Sequence, residues 1–162
     1  MNSELISKQT VICSLECQRD IDCDCKNITI TIYYYIATNN NIFIDKGQIE
    51  FKAKRNLKND ICSNFDQIHY FLEFMKKLDL DYMVTYLING STFFYSIIIP
   101  FLFQAGHSNE MLGMGNNRKF VDFESYINGA NTQYKFSNRG EVEVENICKF
   151  YIGIFNKNKE VV

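Results

Sequence analysis

Residues 27–37 read Asn-Ile-Thr-Ile-Thr-Ile-Tyr-Tyr-Tyr-Ile-Ala, placing Ile28, Ile30, Ile32 and Ile36 on one side of an extended chain. A run this rich in β-branched and aromatic residues, with a period of two, is a strand with one face buried. It also constrains its neighbours. Before it, residues 10–17 alternate Val11, Cys13, Leu15 and Cys17 against Ser14 and Glu16. After it, Thr38-Asn-Asn-Asn41 supplies turn residues, and residues 42–54 read as a returning strand in which Gly47 marks a bulge or kink. A three-stranded meander is the simplest product, and a tight turn at residues 45–47 is its alternative.

The pattern then changes period. Phe65, Ile68, Leu72, Met75 and Leu78 follow one another at helical spacing behind Ser63, an N-cap candidate, and ahead of Lys76 and Lys77. Phe71 and Phe74 widen the stripe enough to cover a sheet. Residues 82–88 and 91–99 flank Asn89-Gly90, the strongest short signal for a two-residue hairpin turn. Phe120, Phe123 and Ile127 space a short helix, and Val144, Ile147, Tyr151 and Ile154 a longer one over residues 143–156. A short strand at 142–144 is compatible with the Glu-Val alternation there. The expected fold is α+β over one domain, residues 1–162: about five mainly antiparallel strands in the order βββ-α-ββ-α-α, with the helices on one face.

Composition bounds the function. With 162 residues and 46% apolar content, the chain buries roughly two thirds of its unfolded surface without staples. A net charge of −2 removes the general electrostatic case for nucleic acid. The N-terminus has no basic start followed by an apolar stretch, and the longest apolar run, about twelve residues, is too short to span a bilayer. The expectation is a cytoplasmic protein that binds neither nucleic acid nor membrane and needs no cofactor. Abundant Ile, Asn and Lys with a single Pro fit an AT-rich genome.

Four constellations carry chemistry. Cys13, Cys17, Cys23 and Cys25 fall within thirteen residues. The first pair has the spacing of a structural zinc site and the second does not, and the face shared by Cys13 and Cys17 is a core face. Between the apolar run ending at Phe103 and Phe120 lies a polar, glycine-dotted stretch, 104–119, too long for an ordinary connection. It offers His107 and Glu110 as a base and its partner, and Gly113, Gly115, Arg118 and Lys119 ahead of a helix expected from near Asn117. That last arrangement resembles the phosphate-cradling turn of acyl-CoA-using acetyltransferases, a resemblance that implies a cofactor pyrophosphate held by the loop. His69 lies seven residues from Cys62, about two helical turns, so the two do not form a catalytic pair.

Finally, Asp20, Asp22 and Asp24, together with Glu141, Glu143 and Glu145, form acidic groups, and tyrosines at 33, 34, 35 and 95 supply interface anchors. Together these read as a protein-binding domain, an immunity- or antitoxin-like inhibitor that meets a partner with a basic surface. The alternatives are a small acetyltransferase-like enzyme and a viral or phage accessory protein that blocks a host factor.

Overall fold

The computed structural model describes residues 8–21, 27–56, 61–63, 69–90, 118–136 and 139–160. Their elements run β1 (Gln9–Ile21), β2 (Asn27–Thr38), β3 (Phe43–Asn56), β4 (Ile61–Ser63), α1 (His69–Asp81), β5 (Tyr82–Asn89), β6 (Arg118–Asp122), α2 (Phe123–Gly129) and α3 (Glu141–Glu160). The strands form one sheet in the order β4-β3-β2-β1-β5-β6. Neighbours from β4 to β1 are antiparallel, and β5 and β6 continue the sheet in parallel to β1. This is the expected α+β class with a mainly antiparallel sheet.

The helices do not share a face. Phe71, Leu72 and Met75 of α1 pack on Val11, Cys13, Leu15, Ile28, Ile30, Ile32, Ile36, Val84, Tyr86 and Ile88. On the opposite face, Phe123 and Ile127 of α2 and Val144, Ile147, Cys148, Tyr151 and Ile152 of α3 cover Ile12, Tyr35, Ala37 and Leu87. The cause is in the central strands. Val11, Ile12 and Cys13 in β1, like Tyr86, Leu87 and Ile88 in β5, are buried at consecutive positions, so both faces need cover. Each such aliphatic side chain contributes about 2 kcal/mol of burial.

The β2–β3 turn falls where Thr38 to Asn41 predict it, and several other local expectations change. The β2–β3 turn forms at residues 38–42, where Oγ1 of Thr38 accepts the N–H groups of Asn40 (3.3 Å) and Ile42 (3.1 Å) and Asn41 takes a positive φ of 65°. The bulge in β3 is at Ile44, because Ile36 pairs with Asp45 and Ala37 with Phe43. Gly47 pairs regularly with Tyr34, and its missing side chain admits the Tyr34 hydroxyl, which lies 2.8 Å from where a Cβ would stand. Ser63 pairs with Lys54 in β4 and so does not cap α1. Over Val84–Ile88 both edges of β5 are taken, by β1 and β6, and both pairings are parallel. The expected second hairpin arm, 91–99, lies outside the described residues. Phe120 belongs to β6, stacked on Tyr86 at 5.4 Å, and the short helix begins at Phe123. Residues 142–144 are helical, with Glu141 and Glu143 in the first turn of α3, where carboxylates suit the helix dipole.

Candidate functional site

β1 and β5 lie side by side in parallel, with β2, the strand that follows β1, on one side of the pair and β6 on the other. Such a switch point, at the carboxyl ends of the strands, is where sheets with parallel strands gather ligands. The carboxyl end of β5 is met by Glu16, level with Asn89, the last residue of β5, and midway along β1, which runs on to Ile21.

Glu16 is held from both sides. Its Oε1 accepts the Asn89 side-chain amide at 3.4 Å, and its Oε2 accepts the backbone N–H of Gly140. Gly140 sits at the start of α3, its carbonyl accepting the Val144 N–H at 3.0 Å. The Glu16 carboxylate therefore faces the positive end of a twenty-residue helix. Gly140 takes a φ of +64°, and the Tyr33 ring stands 3.3 Å from where a Cβ would be.

A second carboxylate belongs to the same helix start. Glu143 in the first turn of α3 is fully buried. The Glu16 carboxyl is held above its ordinary 4.5, first by burial and next by the charge of Glu143, while the hydrogen bond from Gly140, that from Gln18 and the charge of Arg139 pull it down. Tyr134 closes the group. Its phenol is pushed up to about 12, first by burial and then by the charge of Glu143. Ser14, two residues before Glu16 on the same face of β1, is also fully buried, and its hydroxyl has no hydrogen-bond partner among the described residues. Asp122 ends β6 level with Ile88 of β5, two strands or about 10 Å across from β1. Its Oδ2 accepts the Ser125 hydroxyl at 2.8 Å. No three His, Cys, Asp or Glu side chains among the described residues converge as a metal cage.

The residues singled out from the sequence disperse. Cys13 is buried and Cys17 half-buried on the face beneath α1, both thiols raised by burial, and Cys23 and Cys25 lie outside the described residues. His107, Glu110, Gly113 and Gly115 also lie outside them. Arg118 and Lys119 open β6, level with Val84 and Thr85, and α2 starts only at Phe123 instead of near Asn117. They are strand residues, not the start of a helix. Asp20 is exposed near the end of β1, and Asp22 and Asp24 lie outside the described residues. The three glutamates of α3 part company: Glu141 pairs with Lys46 at 3.4 Å, Glu145 with Lys149 at 3.6 Å, and only Glu143 turns inward. Tyr33 and Tyr34 are half-buried and Tyr35 is buried, so these rings are largely spent inside the fold. No helix among the described residues is long and apolar enough to cross a membrane.

Sequence reasoning missed Glu16, Asn89, Tyr134 and Gly140. One signal for Glu16 was present: it lies on the side of β1 opposite the cysteines, along with Ile12, so that side is not purely polar. Compared with known protein families, curated proteins and solved structures, the chain matches none.

Proposed function

We propose that the protein binds a phosphate ester, such as a nucleotide, at the carboxyl end of β5 beside the middle of β1, through a divalent cation held by Glu16 and Glu143. The observation that carries this reading is that half-buried Glu16 accepts the Gly140 N–H at the start of α3, the helix whose first turn carries the fully buried Glu143, beside the end of β5. Buried like charges oppose folding, and proteins that keep them generally pair them or use them to coordinate a metal. Magnesium in particular is held by one or two carboxylates, with waters and substrate phosphates completing its octahedron, so it needs no cage of three protein ligands. Arg139, exposed beside Glu16, is a cation suited to a phosphate oxygen.

The test is thermal melting with Mg2+ or Mn2+, with and without a nucleoside monophosphate. A melting temperature raised by the metal, and raised further by metal and nucleotide together, supports the reading. An indifferent wild-type protein, or a response that survives in Glu16→Gln and Glu143→Gln alike, rejects it.

A second reading, binding of a basic partner protein in the manner of an immunity protein, is favoured by one observation. Ile42 and Phe43, exposed to 62% and 52%, form an apolar step at the β2–β3 turn. Ion pairing of Glu141 and Glu145 leaves a mixed surface around α3 rather than an acidic one, so this reading rests on the apolar step. Loss of association on Phe43→Ser, with metal binding intact, would favour it.

A further inference from the structure

β2 pairs with β3 from Phe43 to Lys54, whereas β4 takes the outer edge of β3 only at Lys54, Arg55 and Asn56. Among the described residues, no strand covers that edge from Phe43 to Ala53, a stretch whose midpoint is Gln48. Such an edge presents a row of backbone donors and acceptors to any strand that can pair with it, and proteins commonly guard it with charge. Here the charges are placed symmetrically. Lys46 stands two positions before Gln48 and Glu50 two positions after it, and all three side chains are exposed. Alternation puts them on one face, that of α3, where Lys46 reaches Glu141 at 3.4 Å. Gly47 and Ile49 lie on the other face with Tyr34, whose hydroxyl fills the space that a Cβ at Gly47 would need.

We infer that two copies of the chain meet at this edge, β3 against β3, in antiparallel pairing about a two-fold axis at Gln48. In that register Lys46 of each copy stands opposite Glu50 of the other, so two opposite-charge pairs form on the α3 side of the joined sheet. On the reverse side Ile49 of each copy stands opposite Gly47 of the other, and gains the Tyr34 ring as an apolar neighbour. Phe43 of one copy faces Ala53 of the other, so β4 is left in place and the whole open edge is used. The neighbouring registers fail. Two-fold symmetry and the pleat together require one residue to face its own copy, which leaves few choices. Centring on Ile49 sets Lys46 against Lys52 twice, and centring on Glu50 sets that carboxylate against itself. Centring on Gly47 sets Lys46 against Gln48 and runs into the bulge at Ile44. Centring on Phe51 would match Glu50 with Lys52, but it needs the edge of Lys54–Asn56 that β4 holds.

The experiment is sedimentation equilibrium of the full chain from about 5 to 500 μM, the range suited to a small interface. EDTA is present throughout, so that the result stands apart from the proposed cation site. The wild type is expected to dimerise reversibly, and less tightly as salt is raised from about 0.05 to 1 M. Lys46→Glu and Glu50→Lys each set like charges opposite one another twice, and each should weaken the dimer at least about tenfold. Mixed in equal amounts, the two variants should form a heterodimer about as tight as the wild-type dimer, because every reversed charge then faces an opposite one. Both positions are exposed, so each variant should unfold at close to the wild-type urea concentration. A wild type that stays monomeric at about 500 μM overturns the inference. So does a dimer that neither charge reversal weakens, or a mixture of the two folded variants that does not associate.

Discussion

Oε2 of Glu16 accepts the backbone N–H of Gly140, 124 positions further along the chain. The contact fastens the start of α3 to the middle of β1, and it satisfies a donor at the helix terminus that has no partner within the helix. Glu16→Ala should therefore cost about 1–2 kcal/mol in urea denaturation, the usual price of a lost cap. Glu16→Gln keeps an oxygen acceptor and removes the repulsion from Glu143, so it should be at least as stable as the wild type at neutral pH.

The same carboxyl makes stability depend on pH with an unusual sign. Its folded-state pKa lies above the ordinary 4.5, first because of burial and then because of Glu143. Between those two values the folded protein holds more protons than the unfolded one, so this group's contribution to stability falls as pH rises through that window. Most carboxylates act in the opposite direction. Urea midpoints measured at intervals from about pH 4 to pH 7 should fall more steeply in the wild type than in Glu16→Gln, where this contribution is absent.

Gly140 is required by its backbone. A φ of +64° suits glycine, and a methyl group there would also meet the Tyr33 ring at 3.3 Å. Gly140→Ala should cost about 2 kcal/mol, combining left-handed strain with displacement of the ring. Because the same residue donates to Glu16, the variant should lose metal affinity together with stability. Gly129→Ala, where a Cβ would meet nothing within 4 Å, is the control and should change neither.

The strands of the first half were legible because their alternation is strict: Ile28, Ile30, Ile32 and Ile36 all reach the core that the sequence assigns them. The switch point was not. Parallel pairing of β1 with β5 joins residues more than seventy positions apart, and no local pattern distinguishes it from a hairpin at Asn89-Gly90. Glu16 was hidden for a related reason. On a half-buried strand its side of β1 reads as solvent, and only the arrival of α3 over that face turns a polar position into a half-buried one. Glu143 was noticed for the wrong property, as one of three clustered acids, when its burial is what separates it from Glu141 and Glu145.

Cys13, Cys17 and Cys148 should be chemically silent in the folded protein. Burial raises all three thiols, Cys148 to about 12, and thiolate is the reactive form. Iodoacetamide labelling near neutral pH, read by peptide mass spectrometry, should leave these three unmodified in the native state and modify them in urea. Labelling of Cys13 without prior unfolding would contradict its placement between β1 and α1.

Glu143→Gln separates stability from function most cleanly. Replacing the fully buried Glu143 with a neutral isostere removes a buried charge and its repulsion of Glu16, both of which oppose folding. The metal-free variant should melt above the wild type near neutral pH, as residues kept for a ligand often do when neutralised. In the same samples Mn2+ should no longer raise the melting temperature. The two effects are expected together because both follow from the charge on one oxygen pair. A variant that is destabilised without metal would place Glu143 among the structural carboxylates, whereas one that is stabilised and still responds to Mn2+ would move the cation away from Glu143.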